Sequence, residues 1–280
     1  MKYLIAGGDE RMVCAAAVLA AAGNEVLSLG MEKASLPDSV RKAYEAEGAD
    51  CVILPLPAES SRGGAINAPF SRGNISISGL LDKLPENTLV CGGKISGGLK
   101  YEARIRGLPI VDYMTRPELV TGNAAITAEA ALCLLMQRTD FSLFGRSALV
   151  IGYGRIGRIL SDKLRALGVK TYVMSRNADS RALAEALGCI ALAPADTLPP
   201  LDMVINTAPA PVLTTLEALC SPCLLLELAS APGGLDSAEA FRLGHRYFAA
   251  PGLPGKYAPK TAGALIAETV MKIVKEHENE

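Results

Sequence analysis

Tryptophan is absent from this chain, and only five Phe and eight Tyr stand among its 280 residues. A core filled without large rings must draw on Ala, Leu and Val, which favours layered α/β architecture over an aromatic-rich all-β one. Histidine is nearly as scarce, with only His245 and His277. That scarcity argues against zinc at the single CxxC pair, Cys220 and Cys223, which has no second pair to complete a tetrahedral site. The seven cysteines are an odd set scattered through apolar stretches, as expected of free thiols in a reducing cytosol. No sign of charge dominates: 28 Lys and Arg face 29 Asp and Glu, a formal net charge of −1. Nothing in that balance attracts nucleic acid or an anionic membrane. Long apolar runs are missing too. Tyr3 to Ala6 followed by Gly7-Gly8-Asp9-Glu10 is strand-then-turn chemistry, not an export signal. The most apolar helix, Ala124 to Met136, is too short to span a bilayer and carries Glu129. A cytoplasmic protein is expected.

What is present is an alternation of short apolar strands with helical stretches, which means parallel strands joined by helical crossovers. The length suits two domains of about 120–160 residues each. The expected fold is α/β, with two doubly wound parallel-sheet domains, the C-terminal one a Rossmann dinucleotide-binding domain. The first covers residues 1–122 and the second 123–261, with the helix in 262–280 a candidate to pack back onto the first. Predicted helices include Arg11 to Ala22, Asp38 to Glu47, Ile126 to Arg138, Arg155 to Leu167, Ser180 to Leu187 and Thr214 to Leu219. The polar stretch Ala58 to Ile77 is too long for an ordinary connection, and is read as a substrate loop or a flexible insertion.

Gly152-Tyr153-Gly154-Arg155-Ile156-Gly157 lies between an apolar strand, Ala148 to Ile151, and an amphipathic helix. In that setting the first glycine permits the tight turn and the second lets a pyrophosphate approach the backbone. The third lets helix and strand pack closely, and the helix N-terminus faces the anion. Gly152, Gly154, Arg155, Ile156 and Gly157 are therefore the candidate pyrophosphate site. The next strand ends at Met174 and is followed by Ser175-Arg176-Asn177, where an NAD-selective site usually offers a carboxylate to the ribose. A hydroxyl, a guanidinium and an amide suit a 2′-phosphate better, so NADP is the expected cofactor. Asp179 is read as the N-cap of the following helix. Asn206 and Thr207 follow another strand at the edge that faces the nicotinamide half of a dinucleotide, although turn formation explains them as well.

Several segments together resemble the family of dipicolinate synthase A subunits. They are Gly7-Gly8-Asp9 with Arg11, Thr127 with Glu129, Gly152 to Gly157, Leu228-Ala229-Ser230, Pro232-Gly233-Gly234 with Asp236, and the Pro/Gly-rich run Ala250 to Gly263. The last is the most specific, and together they extend over nearly the whole chain. The resemblance implies NADP-linked oxidation of dihydrodipicolinate in sporulating bacteria, alongside a separate flavoprotein-like B subunit; self-association is left open. Two residues depart from the pattern: Ala130 stands where Gly is expected, and Ala231 where Arg is expected. Such a substrate needs two carboxylates held and a ring carbon placed against the nicotinamide. Arg11, Arg62 and Lys260 are the candidate cations, and Asp9 or Glu129 the candidate proton acceptor. Two other readings are a D-2-hydroxyacid dehydrogenase and a non-catalytic NADP-binding partner subunit. The former requires a histidine base, and neither histidine lies in the Pro251 to Gly263 segment where one is expected.

Overall fold

The computed structural model describes every residue of 1–280 except Glu47, Arg62, Ser221 and Glu280. The chain divides into two compact units, one of residues 1–123 with 255–280 and one of residues 124–254. Residues 255–261, which the sequence reading places with the second domain, group with the first.

The first unit holds a six-stranded parallel sheet. Its strands are β1 (Lys2–Ala6), β2 (Glu25–Leu29), β3 (Val40–Lys42), β4 (Cys51–Ile53), β5 (Leu89–Gly92) and β6 (Ile110–Asp112), in the order β3-β2-β1-β4-β5-β6. Helices α1 (Glu10–Ala21), α2 (Ile77–Leu81) and α3 (Gly97–Ile105) connect them, and α4 (Pro117–Arg138) runs on across the unit boundary.

The second unit repeats that order. Its strands are β7 (Ser147–Ile151), β8 (Lys170–Met174), β9 (Ile190–Leu192), β10 (Met203–Asn206), β11 (Leu224–Glu227) and β12 (Arg246–Ala249), arranged β12-β11-β10-β7-β8-β9. Helices α5 (Arg155–Ala166), α6 (Ala178–Ala186) and α7 (Ser237–Arg242) lie between them. The short α8 (Leu253–Tyr257) leads into α9 (Pro259–His277).

Both sheets thus have the strand order of dinucleotide-binding folds, in which ligands sit where the order reverses, at the carboxyl ends of the strands. In the second unit that point lies between β7 and β10, paired in register Ile151 to Asn206.

Strands buried on both faces read as continuous apolar runs because each alternate side chain meets a helix layer. Tyr3 and Ile5 of β1 face a core that includes Ala16 and Leu19 of α1 and Ile266, Val270 and Ile273 of α9. Leu4 and Ala6 face Leu80, Leu81, Leu99 and Ala103 on the other side. Gly263 makes the α9 contact possible, since a β-carbon there would stand 2.5 Å from the Arg11 carbonyl oxygen of α1.

Four expectations are corrected. The helix predicted over Asp38 to Glu47 is not formed among the described residues. Val40–Lys42 instead pairs with β2, from Val26 to Val40; helix-favouring residues yield here to an open sheet edge whose backbone groups need partners. The Thr214 to Leu219 helix shrinks to a 3-10 turn, Leu216–Ala218, with Thr215 capping it and Leu219 already extended. Helix α4 starts at Pro117, whose fixed φ suits a first helical position. At 22 residues it is long and apolar enough to cross a membrane by length and composition, yet Ala128, Ala131 and Leu135 are buried in the core beneath the second sheet. Lastly, Asp179 is not an N-cap: Asn177 accepts the Ser180 N–H at 2.9 Å and caps α6, leaving Asp179 in its first turn.

Ile66 and Ile77, both buried, anchor the described residues of the polar stretch from Ala58 to Ile77 to the core of the first unit. It crosses the end of β1, where Gly8 N–H donates to the Asn67 carbonyl at 2.9 Å.

Candidate functional site: a glycine turn at the carboxyl edge of the second sheet

The turn from β7 into α5 is shaped by three glycines with three different tasks. Gly152 has φ +89°, a conformation that costs glycine little, and a β-carbon on it would press on Thr207 Oγ1 at 2.9 Å. Gly157 lies in the first turn of α5 directly against the Gly152 carbonyl. Gly154 is the N-cap of α5 without any side-chain cap, and a β-carbon on it would meet nothing within 4 Å. The middle glycine therefore faces open space at the helix N-terminus, where the partial positive charge of the first-turn N–H groups favours an anion. Arg155 is exposed and Ile156 half-buried beside it. These residues fit a dinucleotide pyrophosphate.

The first sheet has the same strand order but a closed counterpart. Asp9 caps α1 with an extended backbone like that of Gly154, so a carboxylate of the chain itself occupies the corresponding helix start. Beside it, a β-carbon on Gly7 would collide with Ile66 at 2.8 Å, and the Gly8 N–H is already bonded to Asn67.

At the end of β8 the Ser175 side chain is buried and its hydroxyl accepts the Asn177 N–H at 3.3 Å. Arg176 is exposed. The Asn177 side-chain oxygen is taken by its capping bond. A second guanidinium, which in the sequence reads only as part of a helix start, is docked under the turn. Arg181 Nη1 donates to the carbonyls of Ser175 at 2.8 Å and Arg176 at 2.9 Å. Its position in the first turn of the helix after the strand end was the available signal.

Asn206 and Thr207 close the other side. Thr207 Oγ1 donates to the Ile151 carbonyl at 2.9 Å and lies 3.3 Å from the Gly152 carbonyl, tying β10 to the glycine turn. Asn206 is completely buried, its amide bonded to Ala208 and to Glu227. Its side chain shapes the turn instead of facing a ligand.

In the first unit, Asp9 and Arg11 form an ion pair at 2.8 Å. Arg11 is buried and its Nη2 also donates to the Leu56 carbonyl, so the guanidinium is held rigidly. Gly255 lies against this pair, where a β-carbon would be 2.9 Å from Asp9 Oδ2 and 3.0 Å from Arg11 Nε. Lys260 is exposed in the first turn of α9. Its charge reaches Cys14, whose thiol is pushed up by burial and by Glu10 and drawn down by Lys260. Arg62 lies outside the described residues. Glu129, in the second unit, is exposed and pairs with Lys163 at 3.3 Å. The two histidines lie elsewhere. Nδ1 of His245 accepts the Cys223 N–H at 3.2 Å just before β11 begins, and His277 ends α9.

Comparison with known proteins agrees with this anatomy. Residues 2–114 match the N-terminal domain of the dipicolinate synthase A subunit, and residues 126–215 match the NAD-binding domain of D-isomer specific 2-hydroxyacid dehydrogenases. The second unit is thus a nicotinamide-dinucleotide-binding dehydrogenase domain. The dipicolinate synthase A subunit of Bacillus subtilis is 30% identical over 233 residues, 81% of this chain and 78% of its own. The crystal structure of that Bacillus subtilis protein superimposes with a TM-score of 0.87 at 28% identity, covering 100% of this chain and 98% of the other. Its counterpart from Bacillus halodurans gives the same score and identity over 98% and 97%. An apo D-lactate dehydrogenase from Escherichia coli shares the fold at a TM-score of 0.64 and 14% identity, over 100% of this chain and 98% of its own. An open glycine turn in the second unit, a closed one in the first and a relative matched along most of both chains lead to one assignment: this oxidoreductase belongs to the family of dipicolinate synthase A subunits.

Proposed function

We propose that the chain is the A subunit of a dipicolinate synthase and oxidises dihydrodipicolinate to dipicolinate with NADP⁺ in the cytoplasm of a sporulating cell, working beside a flavoprotein-like B subunit. The observation that carries this reading is the open space at Gly154, at the start of α5, with the exposed Arg176 at the neighbouring strand end. Bound nicotinamide supplies the hydride acceptor.

The residues of the chain do the rest. The α5 N-terminus and Gly154 receive the pyrophosphate, and Ser175, Arg176 and Asn177 line the place of the 2′-phosphate, which a carboxylate there would repel. Arg181 holds that turn from beneath through two carbonyls. The substrate loses a hydride and a proton and becomes aromatic, so little acid/base strength is required and firm placement matters most. Lys260, Arg11 and Arg62 provide the positive charge that two ring carboxylates require. Asp9 and Glu129 remain the two candidate proton acceptors, each already in an ion pair, with Arg11 and with Lys163 respectively.

The test is direct. Purified protein is mixed with freshly generated dihydrodipicolinate and NADP⁺, with and without the B subunit, and dipicolinate and NADPH are followed together. Equal amounts of both products are expected. Dinucleotide binding without any oxidation in either mixture would make the chain a cofactor-binding partner and overturn the proposal.

A further inference from the structure

β11 reads Leu224-Leu225-Leu226-Glu227, four buried positions of which the last is a carboxylate. Glu227 is 5% exposed, and no Lys or Arg pairs with it among the described residues. A buried carboxylate is unfavourable unless its lone pairs are met, and here they are met by donors alone. Oε1 accepts from Asn206 Nδ2 at 2.8 Å and from the Ala229 N–H at 2.9 Å. Oε2 accepts from the N–H groups of Gly234 at 2.9 Å and Leu235 at 3.0 Å, with Asn206 Nδ2 again at 3.0 Å. A fourth leucine would have continued the strand and its core. A carboxylate instead gathers both ends of the loop from Ala229 to Leu235 onto one point.

The loop approaches its neighbours closely at its glycines. A β-carbon on Gly234 would be 2.6 Å from Asn206 Nδ2 and 2.9 Å from the Ala210 carbonyl, and Gly233 has φ +79°. Asn206 in turn closes the turn to Ala208, and Thr207 of that turn is bonded to Ile151 and close to Gly152. Hydrogen bonds therefore run without a break along the carboxyl edge of the sheet, from the glycine turn through β10 and β11 to the 229–235 loop.

We propose that Glu227 is a positioning residue: through Asn206 and three backbone N–H groups it fixes the 229–235 loop relative to the glycine turn that receives the dinucleotide. The inference rests on the proposed function for its kinetic part. Glu227→Gln keeps the volume but turns one acceptor into a donor that faces at least two other donors whichever way the amide points. The Glu227→Gln protein is expected to exchange the amide protons of Ala229, Gly234 and Leu235 faster than the parent chain. It is also expected to bind NADP⁺ with an affinity changed by less than about three-fold while turnover falls by about ten-fold or more, because the loop follows β11 beside the carboxyl end of β10, the edge that the proposed function assigns to the nicotinamide half, where a small misplacement costs about that much. Gly234→Ala, which moves the loop and leaves the carboxylate in place, is the second variant and gives the same split. Unchanged amide protection, unchanged turnover, or an equal loss of dinucleotide affinity would overturn the assignment. A parent chain that never oxidises dihydrodipicolinate would overturn the function instead, and the exchange measurement would still decide the role of Glu227.

Discussion

A β-carbon on Gly157 would stand 2.2 Å from the carbonyl oxygen of Gly152, and one on Gly154, midway between them, would touch nothing within 4 Å. Two substitutions in the same turn therefore fail in different ways. Gly154→Val is expected to fold with an unchanged melting temperature and to lose NADP⁺ binding by calorimetry, because the side chain enters the anion's space. Gly157→Ala is expected to lose about 1–3 kcal/mol of stability in thermal unfolding, since backbone must move to admit the methyl group. A Gly154→Val protein that binds dinucleotide normally would remove the glycine turn from the site.

Arg176 is exposed, whereas Arg181 is bonded to the turn that presents it. Arg176→Ala is expected to weaken NADP⁺ binding by about ten-fold and to leave NAD⁺ nearly unchanged, the loss of one charge-assisted contact. Arg181→Ala is expected to weaken both, because it loosens the turn itself. Titration of each variant with both dinucleotides separates the two roles, and a parent chain that prefers NAD⁺ would show that the turn has been misread.

Lys260 stands exposed in the first turn of α9. Lys260→Met keeps the apolar stem and removes the charge. NADP⁺ affinity should be intact and turnover of dihydrodipicolinate lower by at least about ten-fold, which is about 1.4 kcal/mol of transition-state stabilisation. Steady-state kinetics with normal turnover and normal KM would shift the carboxylate anchor to Arg11.

Cys223 gives a pH signature. Burial, with the charge of Asp202 adding to it, pushes its thiol from 9.0 up to about 12. In the unfolded chain the thiol ionises at its ordinary value, so between these limits the unfolded state binds fewer protons than the folded one. Stability from this group is therefore complete below about pH 9 and is lost as pH rises towards about 12. Urea unfolding of the parent and of Cys223→Ala should show the steeper alkaline decline in the parent. Parallel slopes would mean that the thiol does not contribute.

The sequence made the sheet strands legible because a strand buried on both faces must be apolar throughout, as Leu149, Val150 and Ile151 are. Gly152, Gly154 and Gly157 were legible for a related reason: close backbone approach leaves no room for a side chain. What escaped depends on partners distant in sequence. Val40–Lys42 has helix-forming neighbours and becomes a strand only because β2 offers an unpaired edge. Glu227 reads as the end of an apolar run, and its task appears only when Gly234 and Leu235 fold back onto it. Asn206 carried a turn signal and a ligand signal at once, and burial decided for the turn.

Helix α9 supplies Ile266, Ala267, Val270, Ile273 and Val274 to the core of the first unit, although the whole of residues 124–254 precedes it in the chain. A translating ribosome therefore releases β1 to β6 with one sheet face covered by α1 but not yet by α9. It must then make the second unit before the missing helix emerges, a delay on the order of ten seconds at ordinary elongation rates. The contiguous second unit can close as soon as it is released, so the unit made first is completed last. During that interval the part of this face that α9 will cover, and the apolar side of α1 that packs on α9, are open to chaperones, and to neighbouring chains on the same message.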